Sequence, residues 1–277
     1  MQTQIQPKAK GKPGFLRKHW MDILVILVVA FLLFLLFRSI YFRFNFQKKW
    51  DTFYYHFVTN NGYRRLLTGM RNTGIIASLG FLIGLFIGTV IALVKVIPPY
   101  RKITRYAQKV CNLYVAFFRG TPIVVQLLVG YYIILPLIGV SMTPLASCVT
   151  IFGLNSGAYV SEIMRGGIQS VDSGQLEAAR ALGLSFPTSM IRIVIPQAVK
   201  NILPTLGNEI ITLVKETAIV GYVGAVDITK FFQDHAANSY EYMVPYLIMA
   251  LIYIVIVAVI AALVRLMERR LQNGNRK

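Results

Sequence analysis

The feature that most restricts this chain is a series of long apolar stretches, each close to the roughly 20 residues that a helix needs to cross a bilayer. They run at about 21–42, 72–96, 111–138, 144–164, 198–223 and 245–266. Inside lipid every backbone N–H and C=O must find a partner within the protein, and a helix supplies all of them from one segment. The expected fold class is therefore an all-α polytopic membrane protein. Composition agrees, with 56% apolar residues, 14% charged residues and a mean hydropathy of +0.58. The net charge of +18 does not point to nucleic acid, because Lys and Arg gather in short flanks of the apolar stretches, where they set topology.

Residues 1–20 carry Lys8, Lys10, Lys12, Arg17 and Lys18 without an acidic residue, and read as a basic cytoplasmic tail. No small-residue cleavage site follows the 21–42 stretch, so it reads as a retained span and not a signal peptide. In 43–67 Trp50, Phe53, Tyr54 and Phe57 recur at helical spacing, which predicts an external amphipathic helix lying in the membrane surface. Lys48, Lys49, Arg64 and Arg65 on that linker run against the usual placement of basic residues on the cytoplasmic side.

Within the second stretch Gly80, Gly84 and Gly88 make a small-residue seam suited to close helix approach, either inside the chain or between subunits. Pro98 to Lys109 reads as a basic cytoplasmic turn. The third stretch is interrupted by Arg119-Gly120-Thr121-Pro122. Irregular backbone at membrane depth is tolerated where it is buried in protein or lines a wet cavity. The break is thus either part of a translocation path, with a half-helix start aimed at an anionic group, or a proline kink near the interface.

In the fourth stretch Asn155, Tyr159 and Glu162 share one helical face. A carboxylate there costs at least about 2.5 kcal/mol. Glu162 therefore either contacts substrate or pairs with Arg165. The fifth stretch holds Glu209, Thr212, Lys215 and Glu216, whose charges are expected to face the interior, and Pro204 and Gly207 are expected to break it. The polar segment Gly224 to Tyr242 is expected outside, as a solvated loop or a docking surface for an external partner.

Between the fourth and fifth stretches, 172–196 reads as helix, bend and helix. Ser173 is a candidate cap for the first half, Gly183 a terminator, Ser185 a cap for the second, and Pro196 its end. Small Ala178 and Ala179, with Glu177 beside them, suit docking on a partner. Glu177-Ala178-Ala179, Gly183, Ile193 and Pro196 resemble the EAA motif of ABC importer permeases, apart from isoleucine at the usual leucine position 195. Phe118-Arg119-Gly120-Thr121-Pro122 with Gln126, Ser156-Gly157-Ala158-Tyr159 with Glu162, and Arg165-Gly166-Gly167-Ile168 resemble the polar amino acid branch of that family.

The resemblance implies a five-helix permease core over 68–267, with coupling helices at 173–196, one added amino-terminal span at 21–42, an external linker at 43–67 and a cytoplasmic tail at 268–277. It implies a multi-pass subunit of a bacterial inner membrane with both termini in the cytoplasm. The implied partners are two ATPase subunits, an extracytoplasmic amino acid-binding protein and a second permease chain, identical or homologous. Glu177, Ala178, Ala179, Gly183, Ile193 and Pro196 would couple to the ATPases. Arg119, Gly120, Thr121, Pro122, Asn155, Tyr159, Glu162 and Glu209 are candidates for the substrate path. No GxxxxGK[ST] loop is present, so ATP and magnesium are expected in the partner subunits and no cofactor on this chain. No HExxH or GxSxG pattern occurs, and His19, His56, His235, Cys111 and Cys148 lack ligand or catalytic spacing, which argues against an enzyme or a metal site. An ion-coupled secondary transporter of amino acids is the alternative, and it calls for inverted repeats that the sequence does not display.

Overall fold

The computed structural model describes residues 27–39 and 45–273, and the chain divides into two compact units, 1–52 and 53–277. The expected basic tail, both ends of the 21–42 stretch and the last four residues lie outside the described residues. In the first unit helix α1, Leu27–Ser39, is apolar and exposed along its length. Helix α2, Phe46–Tyr54, crosses from the first unit into the second.

The second unit is helical among the described residues. α3 is Gly62–Val96, α4 Lys102–Gly120, α5 Ile123–Val129, α6 Leu135–Leu137, α7 Pro144–Gln169, α8 Ser173–Ala181, α9 Phe186–Ser189, α10 Ile195–Glu216, α11 Ile228–Ser239 and α12 Met243–Asn273. The expected spans fall on α3, on the pair α4 and α5–α6, and on α7, α10 and α12. Among the described residues α3 and the segment Met243–Arg269 combine span length with a high apolar content, as does the bent pair of α4 with α5–α6 taken together, whereas α7 and α10 turn polar residues inward.

Several expected boundaries move. α3 begins ten residues before Asn72, and α4 already starts at Lys102, so Lys102, Arg105 and Lys109 are helical and not part of a turn. Pro204 sits inside α10 without ending it, because Ile202, Leu206 and Gly207 around it are held in buried contacts. Pro196 does not close a helix either. A π turn at Met190–Val194 widens the backbone just ahead of it, and Pro196 falls in the first turn of α10, where its missing N–H is tolerated. The helix capped at its start by Ser185 thus runs on into α10.

The glycine seam packs within the chain. A Cβ on Gly84 would lie 2.7 Å from Oγ of Ser156, and one on Gly88 2.6 Å from Cγ1 of Val160. The fit is reciprocal, since a Cβ on Gly153 or Gly157 would meet Ile83 or Ile87 of α3 at 2.6 or 2.8 Å. Gly167 and Gly207 do the same for Ile202 and Val264, bringing α10 onto α7 and α12 onto α10. The main core gathers Ile76, Leu127, Cys148, Phe152, Leu213 and Val220 where α3, α5, α7 and α10 meet.

Residues 224–242 are not a solvated loop. Asp227 is fully buried and caps α11 by accepting from the backbone N–H of Thr229 and Lys230 at 3.0 and 2.8 Å. Nδ2 of Asn72 donates to the Val226 carbonyl at 2.8 Å, and Gly69 lets the α3 backbone come against Asp227. Phe53 and Phe57 stack and pack with Phe231 and His235 of α11. Of the expected aromatic stripe Phe53 is buried here, whereas Trp50 and Tyr54 are exposed.

Replacing Gly88 by Val drives two methyl groups into Val160 and should cost about 1–3 kcal/mol. Gly74→Ala, with open space around it, should change the melting temperature of the purified protein little. Burial and the neighbouring His56 push the His235 imidazole below its usual value. The folded chain then binds that proton more weakly than the unfolded chain, so the contact holds fully above about pH 6.5 and weakens as pH falls. Hydrogen exchange in 53–60, corrected for intrinsic rate, should be faster at about pH 5.5 than at about pH 7.5, and His235→Phe should remove the difference.

Candidate functional site

α4 and the α5–α6 segment meet at Thr121-Pro122 and bend by 105°. Such a break strands the last carbonyls of α4, which cannot be left bare in a poorly hydrated interior. Gln126 closes it. Its Nε2 reaches the carbonyls of Phe118 and Thr121 at 2.8 and 2.9 Å and Oγ1 of Thr121 at 2.8 Å. Its Oε1 accepts from Nδ2 of Asn155 at 2.9 Å, so α7 grips the break by one buried amide pair. The hydroxyl of Tyr114 donates to the carbonyl of Leu154, a second tie between α4 and α7.

One and two turns further along α7, Tyr159 lies under the Arg119 guanidinium, 5.6 Å from ring centre to Cζ, and Glu162 gathers three cations. Lys95 of α3 meets its Oε1 at 2.8 Å, Arg165 its Oε2 at 2.7 Å and Arg119 its Oε2 at 3.6 Å. Lys95 and Glu162 are largely shielded, at 11% and 18% side-chain exposure, so removing one partner would leave the other charge poorly hydrated and cost more than at a surface bridge. The expected ion pair with Arg165 is thus present, widened to a three-cation clasp, and the clasp borders a polar cavity of about 430 Å³ lined also by Gln108 and Asn112.

Glu209 is not part of this group among the described contacts. It is buried where α10 meets α7 and accepts from Oγ of Ser156 at 2.8 Å, next to the point where Gly84 of α3 closes in. Of the other charges in this helix Lys215 is exposed and does not face the interior.

In the 172–196 element the cap of α8 is Asp172 and not Ser173: its Oδ1 accepts from the Gly174 N–H at 2.7 Å. At the far end Gly183 has φ +85°, and the N–H groups of Gly183 and Leu184 bond the carbonyls of Arg180 and Ala179 at 3.0 and 3.2 Å. This is a Schellman closure, which a residue with a Cβ would strain. Ala179 is buried, whereas Glu177, Ala178 and Leu182 face outward and Leu182 is 83% exposed. Ile193 is half-buried in the π turn and Pro196 is exposed. A cavity of about 450 Å³ beneath α8 is walled by Asp172, Leu176, Phe186 and Met190 together with Lys95 and Arg165 of the clasp.

The chain matches the family model described as "Binding-protein-dependent transport system inner membrane component" over residues 80–273. The chain belongs to this family. This permease is 39% identical over 193 residues to the "Putative glutamine transport system permease protein GlnP" of Rickettsia bellii, covering 70% of the chain and 86% of that protein. It is 39% identical over 210 residues to the "Arginine transport system permease protein ArtQ" of Bacillus subtilis, covering 76% and 94%. Among solved structures it resembles a chain of an amino acid ABC transporter crystallised with histidines, at TM-score 0.70 and 39% identity over 76% of this chain and 96% of that one. A methionine ABC transporter in an inward-facing conformation shares the fold at TM-score 0.65 and 18% identity. The permease is thus an ABC importer subunit, and the secondary-transporter alternative falls away.

Lys95, which closes the clasp, is the one charge between Arg71 and Arg101, and that isolation within an apolar stretch is the sequence signal for a buried partner. A double-mutant cycle between Glu162→Gln and Lys95→Met, read by thermal unfolding of the purified protein, should return a coupling of about 1–3 kcal/mol. Simple additivity would remove the clasp.

Proposed function

We propose that this permease is the membrane-spanning subunit of an ATP-driven amino acid importer, in which the 172–196 element receives the stroke of separate ATPase subunits. The observation that carries the reading is the two-sided character of α8. Ala179 fastens it inward, Glu177, Ala178 and Leu182 are presented outward, and the floor beneath it includes Lys95 and Arg165. A push on α8 would reach the clasp through that shared cavity wall, and Arg119 of the clasp sits at the α4–α5 break. Docking drives transport only if it is better in one state than the other, so the clasp and the break are the elements whose arrangement must differ between states.

The transported class follows from the relatives, whose names specify glutamine and arginine. Arg119 to Pro122, Asn155, Tyr159 and Glu162 are proposed to border the path. Glu209, set apart behind α7, is a second candidate for contact with a cationic substrate. An extracytoplasmic binding protein would deliver the amino acid, and a second permease chain would complete the pathway. ATP and magnesium would act on the partner ATPases. A bacterial inner membrane with both termini in the cytoplasm would put α8 on the side where nucleotide is available.

In proteoliposomes holding the assembled transporter, Glu177→Ala and Leu182→Ser should lower ATP-dependent uptake by at least about tenfold, roughly 1.4 kcal/mol. ATP hydrolysis should become independent of the binding protein while the melting temperature stays near that of the parent. Uptake at the parental rate would overturn the coupling role.

A further inference from the structure

The arginines at the start of α3 run against the usual charge asymmetry and take no part in the clasp or in α8. α3 has 35 residues, about 52 Å at 1.5 Å per residue, against about 30 Å of hydrocarbon. Between Arg71 and Lys95 it carries no charged side chain, and that stretch by itself matches the hydrocarbon thickness. Arg71 therefore marks one edge of the apolar zone. Arg64, two turns earlier on the same face, lies about 10 Å further out, at the outer side of the headgroup layer, from where its long side chain can reach back to the lipid phosphates.

Both arginines are exposed, and neither makes an ion pair among the described residues. Arg65 between them is engaged by Asp234 at 3.7 Å. Leu67 and Met70, 60% and 39% exposed, lie between the two exposed guanidinium groups, and the exposed Tyr63 ring flanks Arg64, whose Nε donates to its hydroxyl at 3.4 Å and whose Cζ lies 6.0 Å from the ring centre. The Phe53, Phe57 and Phe231 cluster fastens the preceding linker to α11, so this surface is fixed in place.

We propose that Tyr63, Arg64, Leu67, Met70 and Arg71 form a docking surface for an anionic phospholipid. The forked guanidinium donors match phosphate oxygens, Tyr63 suits the headgroup layer, and Leu67 and Met70 offer apolar contact to the glycerol and ester region between headgroup and acyl chain. Apolar side chains set between arginines along the bilayer normal fit a lipid better than an acidic soluble protein, which would meet only the outermost groups. The proposal depends on α3 spanning the membrane and not on the substrate of the permease.

The test is hydrogen exchange of the full chain in nanodiscs of phosphatidylcholine alone or with about 30% phosphatidylglycerol. In the parent, the peptide covering 55–71 should exchange several-fold more slowly when phosphatidylglycerol is present, and salt at about 0.5 M, where the Debye length is only a few ångström, should remove most of that protection. In the double variant Arg64→Gln, Arg71→Gln the two lipids should give equal rates, with the α12 peptides unchanged as the check on folding. Equal rates in the parent, undiminished protection in the variant, or protection that appears only when a soluble binding protein is added would each overturn the proposal.

Discussion

Lipid gives helices no hydrophobic reason to associate, so what joins them must be close contact and internal bonding. The approach of α3 to α7 supplies it here. Three glycines of α3 receive Phe152, Ser156 and Val160, and two glycines of α7 receive Ile83 and Ile87. The two backbones lock along several turns, which fixes the rotation of α7 about its own axis. That rotation is what aims Asn155, Tyr159 and Glu162 at the α4–α5 break, while Ser156 looks towards Glu209 on another side.

A second constraint follows from the low polarity of the interior. A chain broken at Thr121-Pro122 leaves carbonyls that must be paired, and the amide nitrogen of one glutamine, with its two hydrogens, reaches those of both Phe118 and Thr121. Because Gln126 is itself held by Asn155, the break is a defined joint and not a loose loop. A joint of this kind suits a protein that changes shape, since it concentrates motion where few bonds need to be exchanged. The ionic clasp two turns further along α7 ties α3, α4 and α7 together. The shielding of its Lys95–Glu162 pair makes that contact sensitive to small displacements. Through the cavity wall shared with α8, the proposed stroke of the ATPases has a short physical route to that joint.

The sequence by itself determined the all-helical membrane class, the break, the glycine seam, the two helical halves with Gly183 between them and the shared face of Asn155, Tyr159 and Glu162. Each of these depends on local chemistry: helix length against bilayer thickness, the missing donor of proline, the positive φ open to glycine, and the helical repeat. Only the tertiary structure decided who fills the partners' places. Lys95 completes the clasp from 67 residues away, and Asn72 reaches the Val226 carbonyl across 154, pairings for which no local rule exists. The same reason explains the misread segments. Pro196 and Pro204 carry helix-breaking chemistry, yet a π turn and buried neighbours outweigh it, and the polar 224–242 segment is drawn into the fold because Asn72 and Gly69 offer it a bonded seat. Local rules state what a segment prefers; the contacts that overrule the preference lie elsewhere in the chain, and only packing brings them together.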